Sequence, residues 1–461
     1  MSTKPHRLPV QEKIGYGLGD TASNIFFFGV NAWIFFYYTE ICKIHPTTVG
    51  TLLLLPRFWD AISDPLMGAL ADRTRTRHGT YRPYLLWLAI PFGICGYLTF
   101  ANPQFSEGGK LIYAYITYIA LMSAYTAINV PYSALMGVMT SSSSERTSLS
   151  TYRFVGAFSG QLIISMTFLP MVMALGGGDK GVGFPRAMGL LAVVATLMFL
   201  ATFATTRERI KPQVRKNNDL RGDLGSLFRN TPWIIMVVAA ILTLSSAAVR
   251  WTITPQYLKY YFGVGDEKFF LFLDKISFVQ TTGSIAFIAG VFFTGMLTRR
   301  FGKRNSLMAL TLINGVLVVG LFLIPRDGYM TLVVLNIVGN FLAGPTPALV
   351  WSIYTDVADY GEWKSGRRVT GLAFSAAMFS QKLGITIGGS LCGWILGGVG
   401  FVPDQPPSEE VLSSFRVIAT VLPGSLAIAN GIVLIWYKLT EEQMVVVERE
   451  LAEQRKSSSA E

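Results

Sequence analysis

Two aspartates four residues apart inside an apolar run are the first chemistry this sequence offers. The run reads Arg57-Phe-Trp-Asp60-Ala-Ile-Ser63-Asp64-Pro65, and each ionisable group placed in hydrocarbon costs about 2.5–3.5 kcal/mol on insertion scales. At about 100° per residue, Arg57, Asp60 and Asp64 fall on one helix face, within about 60° of one another. Paired carboxylates at this spacing either offer oxygen ligands to a hard cation such as Na⁺, or hold a proton because like charges in a low dielectric resist ionising together. Both readings describe a cation site. The structural alternative is an ion-paired network, but one arginine does not balance two acids. Pro65 frees a backbone carbonyl one turn earlier, as a further cation ligand or merely as a kink.

Other charges lie in apolar runs far away in sequence. Arg153, in Ser150-Thr-Tyr-Arg153-Phe, opens its run and either faces inward or snorkels to the interface. Lys382, in Phe379-Ser-Gln-Lys382-Leu-Gly384, is too deep to escape so easily, and a lysine opposite two aspartates is a charge partner that cation binding or protonation displaces. Gly156-x-x-x-Gly160 and Gly384-x-x-x-Gly388 are small-residue faces suited to close helix approach. The run Gly15-Tyr-Gly-Leu-Gly19 follows no strand, which argues against a nucleotide loop.

These residues need membrane helices to position them. Of 461 residues, 51% are hydrophobic and 15% charged, against roughly 25% charged in soluble domains. A spanning helix needs about 20 mostly apolar residues, and twelve stretches qualify: 16–39, 47–71, 83–102, 110–138, 152–176, 187–206, 231–254, 271–297, 305–325, 329–354, 370–398 and 412–437. The fold class expected is therefore an all-α membrane protein with twelve transmembrane helices in two six-helix bundles. The bundles are 1–206 and 231–440, with a cytoplasmic linker at 207–230 and a cytoplasmic tail at 441–461. The formal net charge is +11. With both termini in the cytoplasm most of the basic residues fall in cytoplasmic segments, so the charge reads as a topology signal rather than a nucleic-acid footprint. The three cysteines are scattered and the three histidines sit in polar segments, which suggests no disulfide framework, metal cluster or intramembrane imidazole. The polar N-terminus has no compact apolar core of a removable signal.

The two halves share a mark, Gly68-x-x-x-Asp72-Arg73-Thr-Arg75-Thr-Arg77 after the second stretch and Gly295-x-x-x-Arg299-Arg300-Phe-Gly302-Lys303-Arg304 after the eighth. The first copy resembles the cytoplasmic loop pattern of the major facilitator superfamily; the second lacks the acid. Four further segments narrow the likeness: Lys13-Ile-Gly-Tyr16-Gly17-Leu-Gly19-Asp20, Trp59-Asp60-Ala-Ile-Ser63-Asp64-Pro65, Asn129-Val-Pro131-Tyr132 and Asp356-Val-Ala-Asp359-Tyr360-Gly361-Glu362-Trp363. Together they resemble the glycoside-pentoside-hexuronide:cation symporter family, the melibiose permease-like carriers, over essentially the whole chain.

That resemblance implies a secondary active transporter and no enzyme. Its substrate would be a glycoside or sugar acid (hexuronide, xyloside or sulfonated sugar), carried with Na⁺ or H⁺ by alternating access. It implies cation binding by Asp60, Asp64, Ser63 and Thr126, with Asp60 and Asp64 as the metal ligands if the ion is Na⁺. It implies substrate contacts from Asn24, Asn129, Arg153, Trp351 and Lys382 at a site between the halves, and a cytoplasmic gate from Asp72, Arg73, Asp356, Asp359 and Glu362. Asn24 and Asn129 stand where the family's galactoside carriers have aspartates, which speaks against a simple galactoside. No cofactor beyond the coupling ion is implied. The expected partners are the sugar and the lipid bilayer of the inner (plasma) membrane, with no nucleic acid, and a monomer is expected. An exporter or facilitator of a small organic anion on the same fold is the alternative.

Overall fold

The computed structural model describes residues 7–101, 103–140, 142–210, 225, 227–265, 267–365 and 370–457, with the side chain of Arg57 outside this set. Most of the expected linker, 211–224 and 226, also lies outside it. All twelve expected spans coincide with a helix or a consecutive helix pair. The first six are α1 (Val10–Phe36), α2 (Pro46–Arg73), α3 (Arg82–Thr99), α4 (Glu107–Met139), α5 (Ser143–Gly176) and α6 (Lys180–Thr205). The next are α7 (Thr231–Tyr260), α8 (Lys275–Val291) with α9 (Thr294–Phe301), and α10 (Lys303–Gly320). They are followed by α11 (Tyr329–Ala343) with α12 (Thr346–Ser365), α13 (Thr370–Gly398), and α14 (Glu409–Arg416) with α15 (Leu422–Val433). Among the described residues, seven helices are long and apolar enough to cross a membrane, and the α8–α9 pair, bent by 47°, makes eight.

Of the three paired spans, α14 and α15 are joined by a π-helical turn at Val417–Val421, and the other two are interrupted, for reasons that hydropathy does not register. Between α11 and α12 lie Gly344 and Pro345, and proline removes a helix donor while pushing its predecessor away from the helical region. The break sits at a close crossing. A Cβ on Gly344 would lie 2.4 Å from the Phe287 carbonyl oxygen, and one on Gly290 of α8 would lie 2.1 Å from that of Phe341. Asp356, Asp359 and Glu362, expected after the tenth span, are therefore on the continuous helix α12. The expected tail holds a further helix, α16 (Glu441–Ser457), and Met444, Val447 and Leu451 on one of its faces join a buried core with Leu349, Ile353 and Val357 of α12.

Packing divides the chain into two compact units. One holds the described residues of Met1–Arg215, Val264–Thr281 and Leu396–Pro407; the other holds those of Lys216–Gly263, Thr282–Ile395 and Ser408–Glu461. The first includes a short hairpin, β1 (Lys268–Phe270) with β2 (Leu273–Asp274).

Both small-residue faces are used, each inside its own unit. On α5 a Cβ at Gly156 would meet the Gly17 carbonyl oxygen at 2.3 Å, and one at Gly160 the Thr21 oxygen at 2.8 Å. On α13 Gly384 and Gly388 approach the Ile241 and Ser245 oxygens of α7 at 2.6 and 2.4 Å in the same sense. The fifth helix of each half thus lies backbone-to-backbone on the first, a repeat sharper than the degraded loop motif. Backbone oxygens cannot swing aside. Gly156→Ala is therefore expected to lower the detergent thermal midpoint clearly, whereas Gly137→Ala, with open space around it, gains helix propensity worth up to about 1 kcal/mol and should hold or raise the midpoint. Equal effects of the two substitutions would contradict this account.

Candidate functional site

Asp60 and Asp64 lie on α2, which runs unbroken through Pro56 and Pro65. Asp60 is only 2% exposed. Asp64 Oδ1 accepts a hydrogen bond from Thr126 Oγ1 of α4 at 2.8 Å. Ser63, one turn from Asp60, has a buried hydroxyl oxygen with no hydrogen-bond partner among the described residues. The set consists of two carboxylates and two hydroxyls, all oxygen. Having donated its proton to Asp64, Thr126 still carries lone pairs, and Ser63 has spare acceptor capacity. Such a set suits Na⁺ or a proton. Among the described residues no cluster of three or more His, Cys, Asp or Glu gathers for another metal.

Six residues further along α4, Tyr132 enters a second polar cluster. Its hydroxyl donates to the Tyr16 carbonyl oxygen at 2.6 Å and lies 3.0 Å from Asp20 Oδ2. Arg153 of α5 donates to that same carboxylate from Nε at 2.5 Å and from Nη2 at 3.4 Å. The guanidinium carbon lies 5.2 Å from the centroid of the Tyr132 ring and 5.9 Å from that of Tyr16, near enough for cation–π attraction. Tyr16 and Tyr132 are fully buried and stacked at 4.8 Å.

Arg153 therefore turns inward rather than snorkelling, and its counter-charge is Asp20, not the α2 pair. Sequence reasoning quoted Asp20 within a motif without giving it a role. The available signal was its position one turn before Asn24 on the same α1 face. The close approach of α1 and α5 that brings the pair together depends on Gly17, Gly156 and Gly160.

The two asparagines expected at the substrate lie on these same helices. Asn24 Nδ2 donates to the Asp20 carbonyl oxygen at 2.8 Å. Asn129 Nδ2 donates to the Tyr125 oxygen at 3.0 Å, and its Oδ1 accepts from Ser23 Oγ of α1 at 2.6 Å. Thr126, Asn129 and Tyr132 thus form a ladder along α4 in steps of three. The ladder touches the acid pair of α2 at one end and the Asp20–Arg153 pair at the other.

At the end of α2, Asp72 Oδ1 accepts from the Tyr81 hydroxyl at 2.6 Å, and in the loop that follows Arg75 folds back on the Asp72 and Thr74 carbonyl oxygens. Arg73 is exposed and has no ion pair among the described residues. Arg77 contacts His78. The charge that organises this loop was missed from sequence. Glu208, beyond α6, accepts from the backbone N–H groups of Thr80, Tyr81 and Arg82 at 2.7–2.9 Å, placing an anion at the positive end of α3. Gly79, at φ +113°, leaves room for it.

The remaining expected residues belong to the second unit. Asp356 is buried and accepts from Lys303 Nζ at 2.9 and 2.8 Å, so the basic loop after the eighth span meets the acidic face of α12. Asp359 and Glu362 lie one and two turns further on, both half-buried. Trp351, half-buried, packs against the core of this unit with its ring 6.0 Å from Tyr354. Lys382 is half-buried on α13, and Thr386 donates to its carbonyl oxygen at 3.0 Å.

Comparison with known proteins adds a second line of argument. The family model described as MFS/sugar transport protein matches residues 15–441. The chain is 35% identical to the inner membrane symporter YicJ of Escherichia coli (strain K12), over 98% of this chain and 96% of that one. It is 34% identical to the isoprimeverose transporter of Lactiplantibacillus pentosus, over 94% and 89%. Among solved structures, a mutant form of the nucleoside transporter NupG superposes with a TM-score of 0.66 at 12% identity, over 93% of this chain and 99% of that one. That level of identity speaks to the fold alone.

Proposed function

The chain belongs to the family of MFS/sugar transport proteins, and from that premise we propose that it carries a glycoside or sugar acid across the inner membrane together with Na⁺ or H⁺. The fold is the all-α major facilitator fold of a multi-pass membrane protein. The observation that carries the coupling is the oxygen set of the buried Asp60 and Thr126 with the half-buried Asp64 and Ser63, one acid already engaged by a hydroxyl and one serine oxygen still able to accept.

Coupling follows from α4. A cation drawn between Asp60 and Asp64 takes oxygen lone pairs from Thr126 and resets the rotation of α4. Asn129, one turn along, then changes its hold on Ser23. Binding of the ion thereby alters the amides and the Arg153–Asp20 pair that would meet sugar hydroxyls, and an ion with equal affinity for both arrangements would shift nothing. Trp351 supplies an aromatic face for a sugar ring, and Lys382 a second positive charge in the second unit. Asp72 and Arg73, with Asp356, Asp359 and Glu362, serve as gating charges, Asp356 held by Lys303 in this conformation. Both termini are cytoplasmic and the protein works as a monomer.

The test is a thermal-shift screen of the purified protein against methyl glycosides, hexuronides and sulfonated sugars, each with and without Na⁺. One sugar class is expected to raise the midpoint, as ligand binding to the native state must, and to do so more strongly with Na⁺ or at lower pH. Stabilisation by a sugar that is indifferent to both would contradict symport and favour a facilitator.

A further inference from the structure

One apolar patch lies outside the helices. The eighth apolar stretch begins at residue 271, yet α8 begins only at Lys275, and the residues before it form the β1–β2 hairpin. Phe269, Phe270, Leu271 and Phe272 follow one another there and are 41, 54, 76 and 47% exposed. Consecutive exposed apolar side chains of this size mark a contact surface. The charged residues sit at the other end of the hairpin, where Lys268 pairs across it with Asp274 and Glu267 precedes the first strand.

The turn gives no local reason for its side chains. Leu271 is the first of the two turn residues and has φ +56°, a left-handed conformation that glycine adopts freely and leucine only at a cost. Glycine at this place would relax the turn and would remove its most exposed apolar group. Backbone strain of this kind persists where a side chain is put to use.

The depth of the hairpin follows from contacts within the first unit. Being the fifth and eighth spans, α5 and α8 run in opposite directions, so the end of one and the start of the other share a face. Thr281 Oγ1, six residues beyond Lys275 on α8, donates to the Ser165 carbonyl oxygen of α5 at 3.2 Å. Ser165 lies eleven residues before the last residue of α5, Gly176. At 1.5 Å per residue these intervals are about 9 and 16 Å, which leaves the start of α8 about 7 Å inside the end of α5. The hairpin is therefore level with the last apolar turns of a helix long and apolar enough to cross a membrane. It also folds back along α8 rather than away from it, because the Phe269 and Phe270 rings lie 5.2 and 5.7 Å from that of Phe278, one turn inside the helix. Asp274 fixes the joint by accepting from the Ser277 N–H and hydroxyl at 2.9 and 2.7 Å.

We propose that the hairpin is an interfacial anchor whose Phe270-Leu271-Phe272 tip inserts among lipid acyl chains on the face opposite the termini, the outer leaflet in the orientation given above. An apolar tip over a charged base at this depth has the division that interfacial elements need. The anchor requires that α5 and α8 span the membrane and does not depend on the sugar or the coupling ion.

The test places single nitroxide labels on the full-length protein in phospholipid vesicles, in a background where Cys42, Cys95 and Cys392 are replaced by alanine. Collisions are counted with oxygen, which concentrates in lipid, and with a nickel chelate, which stays in water. Val193→Cys, exposed midway along α6, is the lipid control, and Gln104→Cys, exposed between α3 and α4, is the aqueous control on the same face. The oxygen-to-nickel ratio at Leu271→Cys is expected within about threefold of the lipid control and about fivefold or more above the aqueous one. A ratio equal to the aqueous control would overturn the anchor. Few collisions with either reagent would overturn it too, since the tip would then lie against protein, a second copy of this chain included. A label at Phe272→Cys should lose most of its lipid character when Leu271→Asp is added, with the thermal midpoint in detergent little changed. A label that stays lipid-like beside that aspartate would show that Leu271 does not insert.

Discussion

In membrane vesicles given an inward cation gradient, the Asp60→Cys variant is expected to equilibrate its sugar without accumulating it. The size of the loss follows from the energetics of coupling. One positive charge moved with the sugar through 100 mV contributes about 2.3 kcal/mol, which at about 1.4 kcal/mol per decade is an accumulation of roughly 45-fold. If Asp60 holds the cation as proposed, removing its charge brings the ratio to about one. Counterflow, which exchanges labelled for unlabelled sugar and needs no net cation movement, should stay within a few-fold of wild type. The proposed sugar contacts Asn24, Asn129 and Arg153 bond to other residues, not to Asp60. Stability separates this from a merely structural role. Asp60 is almost wholly buried, and replacing a buried carboxylate by a small neutral group removes a desolvation cost, so the thermal midpoint should hold or rise. A variant that loses counterflow and stability together would mark Asp60 as a structural strut. Undiminished accumulation would end the coupling proposal.

What the sequence disclosed, and what it withheld, follows from the range of each signal. Helix positions were legible because about 20 apolar residues in a row is a local pattern, and the shared face of Asp60 and Asp64 because i, i+4 geometry is local too. The glycine faces at 156/160 and 384/388 were legible as faces, although not which helix each would meet. Breaks at Gly344–Pro345 and between α8 and α9 were hidden because averaged hydropathy stays high across them. Partners set by tertiary packing were also hidden: Arg153 and Asp20 are 133 residues apart. Glu208 was counted only as part of a charged linker, yet three backbone donors 126–128 residues earlier converge on it.

The Asp20–Arg153 pair decides whether the second polar cluster only holds α1 to α5 or also handles sugar. Removing one member of a buried pair leaves the other uncompensated, at a cost of about 3–5 kcal/mol. Asp20→Asn strands a guanidinium against two tyrosine faces, and Arg153→Gln strands a carboxylate that keeps only the Tyr132 hydroxyl. Both single variants should therefore lose thermal stability sharply. In the double variant two neutral amides replace the pair, and amides can still bond to each other and to Tyr132. Its midpoint should recover well above either single variant, giving a coupling energy of about 2 kcal/mol or more in a double-mutant cycle. Transport supplies the discriminating readout. If the pair only braces α1 against α5, uptake returns with stability. If Arg153 also donates to sugar hydroxyls, the refolded double variant lacks the charge-assisted bonds and binds sugar about tenfold more weakly or worse. The second outcome is the expected one, because the ladder on α4 runs from Asp64 of α2 through Asn129 to this pair. A double variant with both stability and sugar affinity restored would reduce Arg153 to a brace and move substrate recognition elsewhere.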